Sequence, residues 1–121
     1  MSPEEVRKII LAFPDAEEGV SYGQPSFKVN NKFFTRLRRE DQSLVLLEVG
    51  QDEREMLMEA EPATFHITPH YKDYPSVLAR IETLHPGSLH NFLARRWRKI
   101  APKKLVKEFD LAQSEGDTAQ G

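Results

Sequence analysis

The side chains best suited to bind a ligand are the cations that cluster near the C-terminal end of the chain. Residues 92–107 contain seven Lys or Arg and no acidic residue. Each contact between such a cation and a phosphate would release counterions and make the affinity depend on salt. The alternative is a solvated helix face, since the helix macrodipole favours cations near a C-terminal end. The candidates for phosphate contact in this segment are Arg95, Arg98, Lys99, Lys103 and Lys104.

A second group of candidates lies in a predicted β-hairpin. The Asn-Asn pair at 30–31 favours a two-residue turn, because Asn tolerates the positive φ that such turns require. Counting outward from this turn pairs Val29 with Lys32 and Phe27 with Phe34. On that register, one face of the hairpin carries both phenylalanines together with three cations, Lys32, Arg36 and Arg38.

This hairpin face allows two interpretations. Aromatic rings beside cations can stack the bases and hold the phosphates of a single strand of nucleic acid. Alternatively, the aromatic rings pack against helices while the cations lie on the solvated edge of the sheet, where they discourage pairing with other chains.

Other chemistries have little support in the sequence. The absence of cysteine excludes thiolate nucleophiles, disulfides and Cys-based zinc sites. His66 and His70 are four residues apart, but Pro69 removes the helical geometry that would align them, and zinc needs three or four convergent ligands. His70, Tyr71, Asp73 and Tyr74 could line a pocket or form a surface loop. No nucleophile motif or glycine-rich phosphate loop occurs, so we predict no metal, no cofactor and no enzymatic activity.

Length and composition indicate an ordinary globular protein. With 121 residues, 39% of them hydrophobic, the chain is long enough for one domain with a real core. The net charge is −2, so the chain outside residues 92–107 carries ten cations against 19 acidic residues, a net charge of −9. The basic segment therefore creates a local positive field on an acidic body. No apolar run could span a bilayer and no signal peptide is evident, so we expect a cytoplasmic protein.

The start signals and apolar patterns predict the order of elements. Ser2 and Glu5 form a capping box at the first helix, and Asp52 with Glu55 offers a second one. Trp97 lies on the apolar face of the last long helix, so we expect it to be buried. The predicted elements are a helix ending before Pro14, two hairpin strands, a strand over 43–49, a helix over 52–60, strands over 65–68 and 77–81, and a helix over 89–100.

This order, α-β-β-β-α-β-β-α, predicts an α+β fold. With too few residues for parallel crossovers, the strands form a five-stranded antiparallel sheet with the helices packed on it in a second layer. We expect a single domain over residues 1–110. Residues 111–121 have no apolar anchor after Leu111, and we expect them to form a flexible tail.

Three segments resemble the MmcQ/YjbR-like family of small bacterial proteins: residues 22–29, residues 32–34, and residues 97–105 with the sequence Trp-Arg-Lys-Ile-Ala-Pro-Lys-Lys-Leu. The resemblance implies a compact α+β domain similar to secretion-chaperone folds. Family members are often labelled DNA-binding, and the family has no established catalytic residues to carry over. Members often have a Trp in the strand after the His-containing loop, whereas this chain has Val77 and Leu78 there.

The leading hypothesis is a non-enzymatic, DNA-binding protein that uses the basic C-terminal helix and the cationic hairpin weakly and without sequence preference. It predicts a contiguous positive surface that joins Arg36 and Arg38 to the terminal helix. The alternative is a protein-binding adaptor or chaperone-like domain, which requires an exposed apolar patch or a dimer interface. An enzyme, the third possibility, requires a deep pocket with perturbed titratable groups. We expect no membrane partner.

Overall fold

The protein is an α+β domain in which helices pack on one antiparallel sheet. The computed structural model describes the backbone of residues 1–120 and the side chains of residues 1–112. The described helices are α1 (Pro3–Leu11), α2 (Gln51–Ala60), α3 (Pro86–Ile100) and α4 (Lys103–Gln120). The strands are β1 (Ala16–Ser21), β2 (Gln24–Val29), β3 (Lys32–Arg38), β4 (Ser43–Leu47), β5 (Phe65–His66) and β6 (Ser76–Arg80).

The sheet has the strand order β1-β2-β3-β4-β6-β5, with every neighbouring pair antiparallel. The predicted fold class is therefore confirmed, with six described strands rather than five. The additional strand is β1, which pairs with β2 along its whole length. The sequence pattern did not predict β1, because its residues are mostly polar and exposed and lack the alternation of apolar residues that marks a half-buried strand.

Two tight turns connect the first three strands. Tyr22 and Gly23 have φ of 53° and 74°, and Asn30 and Asn31 have φ of 52° and 61°. Two consecutive residues with positive φ are what a two-residue hairpin turn of the right twist requires. The predicted Asn-Asn turn is confirmed, together with the pairing of Val29 with Lys32 beside it.

Strand β3 contains a β-bulge that changes which side chains share a face. Phe27 pairs with Thr35, and Lys28 pairs with Phe33, so Phe34 is an extra residue without a partner in β2. The predicted pairing of Phe27 with Phe34 is wrong, because one inserted residue shifts the alternation of the rest of the strand.

As a result, Arg36 lies opposite Ser26 and Arg38 lies opposite Ser43. Residues directly opposite each other share a face of the sheet. Both arginines are therefore on the face opposite to that of Lys32 and Phe27, and the single cationic face predicted for the hairpin does not form.

Of the two capping boxes predicted at helix starts, one is confirmed and one is wrong. At α1 the capping box is confirmed: the Ser2 hydroxyl accepts from the backbone N–H of Glu5, and the Glu5 carboxylate accepts from the backbone N–H of Ser2. The capping box predicted at Asp52 is wrong, because α2 begins at Gln51 with Gly50 as its N-cap. Among the described residues, no helix combines the length and the apolar character of a membrane-spanning segment.

The core lies between the sheet and the helices α1 and α3 and is centred on Trp97, whose predicted burial is confirmed. The indole N–H of Trp97 donates to the carbonyl of Pro14 at 2.8 Å. Its ring centroid lies 6.3 Å from that of Phe13 and 4.9 Å from that of Phe109. The flexible tail predicted for 111–121 lies mostly outside the residues whose side chains are described and stays a prediction.

Replacing the central indole tests this packing. We expect Trp97→Ala to lower the free energy of unfolding by roughly 3–5 kcal/mol, because it leaves a large cavity where the ends of α1 and α3 meet. Urea denaturation followed by circular dichroism would measure the change. Trp97→Phe, which keeps most of the volume, should cost much less. Equal stability of Trp97→Ala and the parent protein would contradict the central position of this side chain.

Candidate functional site

The turn of the β2–β3 hairpin lies against the C-terminal end of α3. The side-chain amide of Asn30 donates to the carbonyl of Ile100 at 3.0 Å, and the backbone N–H of Asn30 donates to the carboxylate of Asp15 at 2.7 Å. Helix α3 ends at Ile100, and α4 begins at Lys103 after a short break that contains Pro102. The contact brings Lys32 of the hairpin close to the helix lysines that follow it by about 70 residues in sequence.

A groove of about 710 Å³ lies at this junction, which we call the α3–α4 groove. Its wall is apolar around the break, where Ile100, Ala101 and Pro102 line it. Five cations line the groove against one carboxylate, that of Asp110. The cations are Lys32, Arg98, Lys99, Lys103 and Lys107. The groove therefore presents positive charge around an apolar floor.

The cations on α3 itself are held by acidic residues of the same chain. Arg95 makes a two-pronged contact with the carboxylate of Glu53, at 2.7 and 3.1 Å, and also donates to the carbonyl of Glu48. The hydrogen bond with Glu53 raises the pKa of Arg95. Arg98 pairs with Asp110 at 2.9 Å and lies above the ring of Phe109.

Glu48 forms ion pairs with two further cations of α3. Its carboxylate, of which only 13% is exposed, lies 3.2 Å from the Lys99 ammonium and 3.7 Å from Arg96. Arg96 also donates two hydrogen bonds to the carbonyl of Phe33, at 2.7 and 3.0 Å. Three of the predicted phosphate contacts, Arg95, Arg98 and Lys99, are thus engaged within the protein.

The lysines around the break are different. Lys32, Lys103, Lys104 and Lys107 are exposed, and within the described residues none of their side chains has an ion pair or a hydrogen bond. The available charge is therefore concentrated at the start of α4 and at the hairpin turn, rather than along α3.

Arg36 and Arg38 lie in a separate cleft of about 370 Å³. The cleft is on the other face of β3 and toward its other end, since Arg36 and Arg38 lie about 13 Å and about 20 Å along the strand from Lys32 at 3.3 Å per residue. The contiguous positive surface expected to join these arginines to the terminal helix does not form. Tyr22 of the β1–β2 turn and the loop that carries His70 complete the lining of this cleft.

Within the cleft, Arg38 has several loose partners. Its guanidinium lies 3.4 Å from Glu40, 3.7 Å from Asp41 and 3.4 Å from the Thr68 hydroxyl, and 5.7 Å from the ring centre of Tyr71. Hydrogen bonds from its own backbone and from Gln24 lower the pKa of Glu40, and the nearby arginines lower it further.

A partly buried cluster beside the cleft contains Ser43, His66 and Asp41. The Ser43 hydroxyl lies 2.8 Å from Nε2 of His66, and Asp41 lies 3.6 Å from the same nitrogen. In a Ser-His-Asp relay the serine and the aspartate contact opposite nitrogens of the ring, so this cluster does not have that arrangement. Burial lowers the pKa of His66, and the charge of Arg80 lowers it further.

The comparisons with known proteins agree with the sequence resemblance. The family model described as YjbR matches residues 11–99. Uncharacterised proteins from Mycobacterium bovis and Mycobacterium tuberculosis are 38% identical to this chain over 58 residues. That match covers 48% of this chain and 44% of each relative, so the chain spans less than half the length of the curated relatives it matches. No solved structure matches the chain.

The lowered pKa of His66 gives a testable pH dependence. In the unfolded chain His66 takes up a proton near pH 6.5, whereas in the fold it does so at lower pH. Its contribution to stability is therefore complete above pH 6.5 and is lost as the pH falls through the folded pKa. We expect His66→Gln to lose less stability than the parent between pH 7.5 and pH 5, measured by urea denaturation at each pH. Identical pH dependence of the two proteins would contradict this assignment.

Proposed function

This chain belongs to the YjbR family, and we propose that it is a non-enzymatic protein that binds nucleic acid at the α3–α4 groove. The observation that carries the proposal is the group of exposed lysines around the break between the helices. These are Lys32, Lys103, Lys104 and Lys107. Lysines without a carboxylate partner among the described residues are available to contact phosphates.

The charge distribution supports binding of a polyanion at this surface. Because the chain outside residues 92–107 has a net charge of −9, a nucleic acid is repelled elsewhere and attracted to the groove. The ion pairs at Glu48 and Glu53 neutralise part of the positive charge of α3. The attraction for a nucleic acid is therefore centred on the start of α4. In binding without sequence preference, such contacts with phosphates supply most of the affinity and make it depend on salt.

The type of cation favours binding without sequence preference. The ammonium group of lysine is a point charge on a flexible stem, which suits phosphates, whereas the planar groups of arginine, asparagine and glutamine match the edges of bases with defined geometry. Arg98, the arginine of the groove, is already paired with Asp110. We therefore expect weak contacts with the backbone of DNA or RNA and no base readout. Such a ligand and a chain without cysteine both fit a cytoplasmic protein.

A salt titration of binding tests this proposal. We expect the variant Lys32→Ala/Lys103→Ala/Lys107→Ala to bind a single-stranded or duplex oligonucleotide more weakly than the parent at low salt. The slope of log affinity against log salt should fall by about 0.7 for each lost contact with a single strand and about 0.9 with a duplex. Fluorescence anisotropy with a labelled oligonucleotide would measure both quantities.

The matched control removes three exposed lysines elsewhere, in Lys8→Ala/Lys28→Ala/Lys72→Ala. The two variants have the same net charge, so a difference between them reports on location and not on total charge. The control should keep the slope of the parent. Equal losses in both variants, or no binding by the parent even at low salt, would overturn the proposal.

The outer edge of β1 favours a second candidate function, a protein-binding adaptor. Within the described chain β1 pairs on one side only, with β2, and it leads to exposed Val20 and Tyr22. An extended segment of a partner can add to such an edge through backbone hydrogen bonds.

This alternative predicts the opposite pattern of mutational effects. Val20→Lys places a charge on the edge and should weaken the binding of an identified partner by about ten-fold, because the added charge opposes strand pairing. The triple lysine variant of the groove should keep that binding. Isothermal titration calorimetry with the purified partner would measure both. A Val20→Lys protein that binds as well as the parent would contradict the adaptor function.

A further inference from the structure

We propose that the cleft around Arg36 and Arg38 is a second binding site, separate from the α3–α4 groove, for a nucleoside monophosphate. The two arginines would hold the phosphate, and Tyr22 would stack against the planar base. This goes beyond the proposed function, because the ligand is a small molecule and none of these residues lines the groove.

The first argument is the state of the two arginines. They are two residues apart in β3 and thus on the same face, with their α carbons about 7 Å apart. Nε of each is buried and has no hydrogen-bond partner among the described residues. Arg36 also has no ion pair within that part of the chain. The terminal nitrogens of these two adjacent guanidinium groups, rather than the buried Nε atoms, are the donors that match the several oxygens of one phosphate.

The second argument is the looseness of the carboxylate that now lies beside them. The guanidinium of Arg38 is 3.4 Å from Glu40, whereas a strong charged hydrogen bond between nitrogen and oxygen is about 2.7–2.9 Å long. About half of the Glu40 side chain is exposed, and its other oxygen accepts a hydrogen bond from Gln24 at 2.8 Å, so Glu40 can release Arg38 while it stays bonded to Gln24. A phosphate, with more charge and more acceptor oxygens, would displace it. Glu40 is therefore a competitor for the site.

The third argument is the position of Tyr22. Its side chain is 90% exposed, and its backbone has a φ of 53°, a conformation in which glycine or asparagine is far more common. A tyrosine here contributes nothing to the core and adds backbone strain to the turn. Its ring is available at the mouth of the cleft, where a planar ligand can stack on it.

The opposite wall is also aromatic, and the cleft has a suitable size. The ring of Tyr71 lies against Arg38, and His70 packs edge-on against Tyr71 with 4.6 Å between the ring centres. A volume of about 370 Å³ falls within the range of small-molecule sites, roughly 300–1,000 Å³. The cleft therefore combines an anion site with a site for a flat ring.

Isothermal titration calorimetry of the full chain with three ligands tests the proposal. Adenosine 5′-monophosphate has both the phosphate and the ring, adenosine has the ring alone, and inorganic phosphate has the charge alone. We expect the monophosphate to bind at least ten-fold more tightly than either of the others. No binding of the monophosphate, or equal binding of phosphate or adenosine, would overturn the proposal.

Variants then locate the site. We expect Arg36→Gln to weaken binding of the monophosphate at least ten-fold and Tyr22→Asn about five-fold, the latter with a residue that tolerates positive φ. Glu40→Gln should strengthen binding about three-fold, because it removes the competing charge.

The controls are Arg39→Gln, an exposed neighbour that does not line the cleft, and Tyr74→Ala, another exposed tyrosine outside it. Both should bind as the parent does, and thermal denaturation should show that all variants fold. Equal losses in Arg39→Gln and Arg36→Gln would overturn the assignment. The triple lysine variant of the groove should keep full affinity for the monophosphate, so failure of nucleic-acid binding and failure of this site are distinguishable.

Discussion

The burial of Trp97 in the core determines which residues of α3 face solvent. Its indole is fully buried and is held in one orientation by the hydrogen bond to the carbonyl of Pro14. With 3.6 residues per turn, fixing Trp97 and Leu93 toward the sheet turns Arg95, Arg98 and Lys99 outward. The same contact fixes the C-terminal end of α3, against which the hairpin turn rests. Both the fold and the α3–α4 groove therefore depend on this one side chain.

The acidic residues that follow β4 decide how much of the resulting charge is available. Glu48 has a φ of 65°, and its carboxylate is close to Arg96 and Lys99, while Glu53 of α2 holds Arg95. The pair of Arg95 with Glu53 is substantially exposed, and such surface pairs contribute little to stability, about 0–1 kcal/mol each. Their main effect is on the electrostatic surface, because they cancel the charge of α3 and leave that of the lysines after Pro102.

Local signals in the sequence were sufficient for much of the fold. The Asn-Asn pair at 30–31 and the burial of Trp97 were predicted correctly, since turn chemistry and helical periodicity are visible within a few residues. Strand β1 was missed because its residues are mostly polar and exposed. The bulge at Phe34 was missed because residues 33 and 34 are both phenylalanine, so the sequence does not show that one of them is inserted. The pairing of Glu48 with α3 joins residues about 50 positions apart, and no local pattern indicates it.

The bulge at Phe34 also limits where residues can be inserted into or deleted from the β2–β3 hairpin. If one residue were deleted from the hairpin without compensation, Arg36 and Arg38 would turn toward the helices, and burying an unpaired charge there costs several kcal/mol. Insertions and deletions in related proteins should therefore avoid residues 32–36, or occur together with the loss of both arginines. Alignments of family members can thus separate proteins that keep the arginine cleft from those that have lost it, by the length of this strand alone.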